Sequence, residues 1–190
     1  MAITRIRQGI KSICTLALCL VLAFLLLELG LKSYYRAGYQ RQYADIVEHY
    51  SRENGISPSL VYAVIHTESG FRPRAESHVG ARGLMQITPD TFEWLRYRLG
   101  ETDIEFVDLF EPEHNIRYGA YFLAYLLAEF DSLDNSICAY HAGLTRVKNW
   151  LTNPEYAPDG HTLTHIPIPA TRYYLEKVTR ALEIYTAIYT

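Results

Sequence analysis

Residues that start and stop helices constrain the fold of this chain more than any other feature. Ser57 followed by Pro58 is a typical helix start, because a hydroxyl can cap free N–H groups and proline suits the first helical position. Gly70 is a natural stop, so the pattern predicts a helix over 58–69. The same signals recur at Thr88–Pro89 and Gly100. Such closely spaced signals favour a bundle of short helices.

Helical periodicity continues to the end of the chain. Pro112 opens a longer segment with apolar residues at intervals of three and four, and Gly143 closes a shorter helix over 134–142. Further helices are predicted at 33–50, at Val147–Leu151 and at 171–189. Residues 152–169 contain four prolines and are predicted to form a long surface loop, with a possible role as a lid. Without a period-2 segment or a repeat, the fold class is all-α.

The N-terminal segment has a different character. It is uncharged from Ser12 to Leu27 and continues to Leu31 with a single acidic residue. Spanning a bilayer takes roughly 20 mostly apolar residues, and 10–31 approaches that length. No small-x-small cleavage site follows the run, so an uncleaved anchor is predicted. We expect an anchor over 1–32 and a single domain over 33–190.

Composition excludes two classes of protein. The chain has 190 residues, of which 49% are hydrophobic and 21% are charged, and its formal net charge is −3. These values argue against disorder and against a nucleic-acid binder that depends on net positive charge. Arg5, Arg7 and Lys11 precede the apolar run and other basic residues follow it, so their count alone does not fix the orientation of the anchor.

Glu68 is the leading candidate for chemistry. It follows Val61, Val64 and Ile65 by seven, four and three positions, so a helix places its carboxyl on their apolar face. Burial raises the pKa of a carboxyl, which can then act as a general acid near neutral pH. The same position also fits a solvated carboxylate on a fraying last turn, and helical spacing alone leaves both interpretations open.

Two other kinds of site are rejected. His161 and His165 are four residues apart, but they lie in the Pro- and Gly-containing segment, and no His-Glu-x-x-His motif is present. Cys138 lies in an apolar helical context, where a cysteine is usually a small core residue. We therefore expect no metal and no other cofactor.

Several motifs occur together in a characteristic order. Glu68-Ser69 is followed by Gly83-Leu84-Met85-Gln86, then by Pro89-x-Thr91, and later by Ala139-Tyr140-His141-Ala142-Gly143. Together they resemble the lytic transglycosylase family of the lysozyme superfamily over most of residues 41–185. The resemblance implies a lysozyme-like helical domain of the goose-type lysozyme and lytic transglycosylase class, here preceded by an N-terminal transmembrane helix.

The resemblance also implies roles for individual residues. Glu68 matches the family's single catalytic acid, and Tyr140 matches a tyrosine whose hydroxyl faces that acid. Ser77 matches a serine near the N-acetyl group of the sugar. The residues expected to line the saccharide cleft are Gly83, Leu84, Met85 and Gln86, of which Leu84 and Met85 fit a core equally well.

Two positions depart from the family's pattern. His141 stands where Asn is usual, and we expect it to bind substrate through a comparable hydrogen bond. Ala170 stands where a glutamate is common before Thr-Arg, which removes a carboxylate from the cleft. The family's late aromatic hydroxyl is expected from Tyr173, with Tyr174 as the alternative.

The activity implied by the resemblance is cleavage of the β-1,4 bond between N-acetylmuramic acid and N-acetylglucosamine in peptidoglycan. Glu68 would act as acid and then as base, giving 1,6-anhydro products without water. Two alternatives stay open: a non-catalytic, membrane-tethered peptidoglycan-binding module, and a hydrolytic muramidase of the same fold, for which Glu76, Asp90 and Glu93 offer further carboxylates.

The apolar run and the implied substrate together predict a location. We expect a single-pass protein of the bacterial inner membrane, anchored through residues 10–31, with its catalytic domain on the periplasmic side. The expected partners are glycan strands of peptidoglycan and cell-wall or secretion machinery, and no nucleic acid.

Overall fold

The computed structural model describes the backbone of residues 2–189 and the side chains of residues 14–189. Within these residues the chain forms eight α-helices and one 3₁₀ helix, and no strand. The α-helices are α1 (Ala2–Gly38), α2 (Ala44–Glu53), α3 (Pro58–Glu68), α4 (Pro89–Leu99), α5 (Pro112–Phe130), α6 (Leu133–Ala142), α7 (Leu144–Leu151) and α8 (Pro169–Tyr189). The all-α prediction is therefore confirmed.

Helix α1 contains the apolar run. Its stretch Cys14–Gly38 is 25 residues long with a mean hydropathy of 2.5, which is long and apolar enough to cross a membrane. The side chains of Arg5, Arg7 and Lys11, the expected basic flank, lie outside the described residues. The chain divides into two compact units, one through Gln40 and one from Arg41.

The single helix expected over 33–50 is wrong in its bounds. Ser33–Gly38 continues α1, and α2 begins only at Ala44. Tyr43, the residue directly before α2, adopts a left-handed conformation with φ of 59°, so the second helix cannot extend further towards the N-terminus. Aromatic and charged residues at helical spacing occur on both sides of this break, so periodicity alone does not separate the two helices.

The helices predicted from Ser/Thr–Pro signals are confirmed as α3 and α4. The Thr88 hydroxyl accepts a hydrogen bond from the Thr91 N–H at 3.3 Å, as expected of a cap. Ser57 makes no such bond, so Pro58 alone carries the start signal of α3. The 3₁₀ helix, Phe106–Phe110, has no counterpart among the predicted elements.

The domain core brings three helix segments to one place. Helix α3 packs on α8 and α2, α5 packs on α2 and α6, and α6 packs on α7 and α8. Helix α8 therefore packs against both α3 and α6, and it brings Tyr174 to the C-terminal end of α3. Cys138 of α6 is fully buried, and burial raises the pKa of its thiol to about 12, in agreement with its prediction as a core residue.

The loop 152–169 is tied to the helices beneath it. The Asn135 side chain donates to the His161 carbonyl at 2.7 Å and accepts from the Leu163 N–H at 3.4 Å. Leu163, Ile166 and Ile168 pack against the core cluster that includes Cys138 and Trp150. These contacts argue against the expected role of the loop as a mobile lid.

Candidate active site

Glu68 is the last residue of α3 and is partly buried. The Tyr174 hydroxyl, from α8, donates a hydrogen bond to Glu68 Oε1 at 2.7 Å. Burial raises the pKa of Glu68 to about 7, while the bond from Tyr174 and the positive charge of Lys177 act in the opposite direction. A carboxyl with this pKa is close to half protonated at neutral pH, so it can both donate and accept a proton.

The tyrosine that contacts Glu68 is Tyr174, the alternative named from the sequence, and substrate binding by Tyr173 stays a prediction. Tyr174 is 6% exposed, whereas the Tyr173 side chain is 63% exposed. Successive helical residues point about 100° apart, so only one of two adjacent tyrosines can face α3. Burial raises the pKa of Tyr174 well above its ordinary value, with a further contribution from Glu68, so its hydroxyl keeps its proton.

Tyr140 of α6 lies beside Glu68, but its hydroxyl is used elsewhere. It donates to the Met85 carbonyl at 2.8 Å. Burial raises the pKa of Tyr140 well above its ordinary value, and the nearby Glu68 charge raises it further. Tyr140 therefore joins the acid to the turn that contains Met85, instead of donating to the acid itself.

The 83–86 turn is built by close backbone packing. Gly83 has φ of +79°, and a Cβ at this position would lie 2.1 Å from Asn115 Nδ2 and 2.3 Å from the Leu109 carbonyl oxygen. Packing on Asn115 and Leu109 is therefore sufficient to require glycine here. Gln86, with φ of 50°, donates its amide to the Ala75 and Gly83 carbonyls at 3.2 and 2.9 Å.

Leu84 and Met85 belong to the core, and their expected place on the cleft surface is wrong. Both side chains are 0% exposed. Met85 packs so closely on α5 that a Cβ at Gly119 would lie 2.2 Å from its sulfur. The apolar side chains of this motif therefore hold the turn in position, because they fill the space beneath it.

Asn115 is the main residue that sequence reasoning missed. It is fully buried, its Oδ1 accepts from the Met85 N–H at 2.7 Å, and its Nδ2 donates to the carbonyls of Arg82 and Leu109 at 2.9 and 2.8 Å. One side chain thus satisfies three backbone groups of two segments. The sequence did contain a signal for this residue. Asn115 lies four residues before Gly119, so the two share one face of α5, and that face is buried.

Ser77 lies in the turn that precedes this motif. Its hydroxyl oxygen accepts from the Ala81 N–H at 3.0 Å, and its carbonyl accepts from the Gly80 N–H at 2.9 Å. The residue therefore fixes a short turn, and its proposed contact with an N-acetyl group remains a prediction.

His141 contacts the tyrosine that holds the acid. The centres of the His141 and Tyr174 rings are 4.6 Å apart, and the ring planes make an angle of 32°. The His141 Nδ1 is 3.1 Å from Thr171 Oγ1. Partial burial lowers the pKa of His141, which favours the neutral ring. Ala170 is exposed in the first turn of α8, and that turn has no acidic residue.

Two of the other carboxylates near the motif form ion pairs with arginines. Glu76 pairs with Arg82 at 3.2 Å, and Glu93 pairs with Arg96 at 2.7 Å. Besides burial, the groups that shift the pKa of Glu68 are Tyr174 and Lys177. Asp90, the third carboxylate proposed for hydrolysis, is exposed in the first turn of α4. Within residues 14–189 no group of three or more His, Cys, Asp or Glu is placed to hold a metal ion.

A groove of about 690 Å³ adjoins this cluster. It runs between α4, α5 and the start of α7, and Phe122, whose ring lies 5.2 Å from that of Tyr140, links it to the acid. The groove is lined by aromatic rings and by hydroxyl, amide and charged side chains. This lining suits a saccharide, because aromatic rings can pack on apolar sugar faces and the polar side chains can bond sugar hydroxyls. Its lining residues are Asp90, Thr91, Trp94, Phe122, Tyr125, Ala142, Gly143, Leu144, Thr145, Arg146 and Asn149.

Comparison with known proteins agrees with this geometry. A family model described as the transglycosylase SLT domain matches residues 45–161. The soluble lytic murein transglycosylase of Salmonella typhimurium is 36% identical over 141 residues, covering 72% of this chain and 22% of that protein. The membrane-bound lytic murein transglycosylase C of Actinobacillus pleuropneumoniae is 32% identical over 174 residues, covering 78% of this chain and 47% of that protein.

Solved structures show the same fold. The crystal structure of the 70 kDa soluble lytic transglycosylase of Escherichia coli superposes with a TM-score of 0.71 and 29% identity, covering 83% of this chain and 26% of that one. This chain thus spans less than half the length of these relatives. With its all-helical lysozyme-like fold and a family match over residues 45–161, the chain belongs to the transglycosylase SLT domain family.

Proposed function

We propose that this chain is a peptidoglycan lytic transglycosylase in which Glu68 serves as acid and then as base. The observation that carries the proposal is a single partly buried carboxyl, with a pKa of about 7, held by the Tyr174 hydroxyl beside a groove suited to a saccharide. The printed names of its relatives, soluble and membrane-bound lytic murein transglycosylases, support murein as the substrate.

The chemistry needs only one carboxyl. Protonated Glu68 donates its proton to the oxygen that links the two sugars as the bond from that oxygen to C1 of N-acetylmuramic acid breaks. The N-acetyl carbonyl of the same sugar stabilises the positive charge that develops at C1. The Glu68 carboxylate then takes the proton of the sugar's 6-hydroxyl, whose oxygen bonds to C1 and closes the 1,6-anhydro ring. No water is consumed, and Glu68 returns to its starting state.

Tyr174 suits both halves of this cycle. Its hydroxyl stabilises the carboxylate that forms when Glu68 loses its proton, and its own raised pKa keeps it a donor. A hydrolase of the inverting or retaining kind would require a second carboxylate at the reaction centre. Glu76 and Glu93 are paired with arginines, whereas Asp90 lines the groove and is the remaining candidate for such a second carboxylate.

We also propose that α1 anchors the enzyme in the bacterial inner membrane by a single crossing, with the catalytic domain on the periplasmic side. The length and hydropathy of Cys14–Gly38 support the anchor, and the existence of membrane-bound relatives is consistent with it. The side follows from the proposed substrate, which lies outside the cytoplasm.

The test is digestion of purified peptidoglycan by the full-length protein in mild detergent, followed by mass spectrometry of the released fragments. We expect products one water lighter than hydrolysis products, abolished in Glu68→Gln and retained in the matched control Glu76→Gln. Reducing-end products would indicate a muramidase, and their loss in Glu76→Gln or in Asp90→Asn would identify its second carboxylate. Binding to the wall without release by the wild type would indicate a binding module.

A further inference from the structure

His141 connects the C-terminal end of α6 to two residues of α8. Its Nδ1 is hydrogen-bonded to Thr171 Oγ1 at 3.1 Å, and the centre of its ring lies 4.6 Å from that of Tyr174. Thr171 and Tyr174 are three residues apart, a spacing that places both on one face of α8. One side chain therefore joins α6 to the face of α8 that carries the phenol hydroxyl of the site.

The bond to Thr171 holds the imidazole in one orientation. Thr171 is 0% exposed, so bulk water cannot readily replace His141 as the partner of its hydroxyl. A buried hydroxyl is usually hydrogen-bonded, because leaving it without a partner is unfavourable. The bond to His141 therefore resists opening, and the imidazole stays in place beside Tyr174.

The contact with Tyr174 limits how the phenol ring can move. Tyr174 is 6% exposed, whereas His141 is exposed, so the imidazole packs on the buried ring from its accessible side. The ring separation of 4.6 Å and the interplanar angle of 32° suit a favourable aromatic contact. A displaced phenol ring would carry its hydroxyl away from Glu68 Oε1, to which it donates at 2.7 Å. The hydrogen bond to the acid thus depends on the position of His141.

Asparagine, the residue usual at this position of the family, cannot supply the same contact. Its amide can bond a threonine hydroxyl, but it has no ring to pack on Tyr174. Because asparagine is compatible with this fold, His141→Asn removes the ring contact and leaves a polar group for Thr171.

We infer that His141 is a positioning residue, which holds the Tyr174 hydroxyl on Glu68 and acts on the reaction through Tyr174. The inference deepens the proposed function and rests on it. It differs from the role expected from the sequence, in which His141 binds the substrate itself. A residue that binds substrate would act whether or not residue 174 carries a hydroxyl, whereas a positioning residue would act only when that hydroxyl is present.

The experiment is a double-mutant cycle on the full-length protein in mild detergent, with kcat and KM measured on soluble glycan strands. The variants are His141→Asn, Tyr174→Phe and the two combined. His165→Asn is the matched control, because His165 also stacks on a tyrosine, Tyr156, with ring centres 5.7 Å apart, but in the loop 152–169. Circular dichroism checks that each variant is folded.

With Tyr174 present, we expect His141→Asn to lower kcat about threefold and to change KM by less than about twofold. In the Tyr174→Phe background the same substitution should change kcat by less than about 1.5-fold. His165→Asn should leave both constants unchanged. An equal loss of kcat in both backgrounds, a rise in KM alone, or no change in either background overturns the inference. Failure of the wild type to release anhydro products instead overturns the proposed function.

Discussion

Replacing Glu68 with Gln is expected to stabilise the folded domain while it removes the acid. Burial raises the pKa of Glu68 from an ordinary value of 4.5 to about 7, so the folded state binds this proton more tightly than the unfolded chain does. At pH 8 both states are ionised, and the folded domain carries the full cost of a desolvated carboxylate. This pKa difference corresponds to about 3 kcal/mol in the free energy of unfolding.

The stabilisation is expected to vanish on acidification. As the pH falls through 7 towards 4.5, folded wild-type protein takes up the proton before the unfolded chain does, which restores its stability. Glutamine does not titrate and can accept the same hydrogen bond from Tyr174. The advantage of Glu68→Gln should therefore be about 3 kcal/mol at pH 8 and less than about 1 kcal/mol at pH 4.5.

The assay is urea unfolding of the full-length protein in mild detergent, followed by the fluorescence of Trp94 and Trp150, which both lie in the domain. Glu176→Gln, on the exposed side of α8, is the matched control and should change stability by less than about 0.5 kcal/mol at either pH. A gain of equal size at both pH values, or a loss of stability at pH 8, would refute the reasoning.

Three further substitutions test the geometry of the site. Tyr174→Phe should lower kcat about tenfold and shift the alkaline limb of the pH–rate profile to higher pH, because loss of a hydrogen bond to the carboxylate raises the pKa of Glu68. Tyr173→Phe is the control and should leave kcat and the pH profile unchanged. Gly83→Ala should destabilise the domain by more than about 3 kcal/mol in urea unfolding, since its Cβ meets Asn115 at a positive φ. Asn115→Ala should cost about 2–4 kcal/mol in the same assay, and a cost below 1 kcal/mol would contradict its role in satisfying three backbone groups.

Local signals in the sequence were sufficient for most helix boundaries. Pro58 and Pro89 begin α3 and α4 because proline has no N–H to satisfy and its φ suits a first turn. The position of Glu68 at the end of α3 likewise follows from residues a few places away. The break at Tyr43 was not predictable in this way, because a left-handed conformation at a tyrosine has no local signature.

The chemistry of the site depended on contacts between distant segments. Glu68 acquires its pKa of about 7 from burial by other helices, and it acquires its donor from α8, 106 positions further along the chain. The rotation of α8 about its axis decides that Tyr174, and not Tyr173, faces α3. Two adjacent tyrosines look alike in the sequence, so the sequence alone does not show which of them faces inward.

The sequence by itself therefore determined the all-α class and the apolar N-terminal helix, and it singled out Glu68 as the candidate acid, because each of these depends on nearby residues or on a motif. The tertiary structure alone decided that Leu84 and Met85 are core, that Asn115 supports their turn, and that Tyr174 donates to Glu68. Burial, hydrogen-bond partners and electric fields belong to the packed domain, since they arise from residues that only folding brings together.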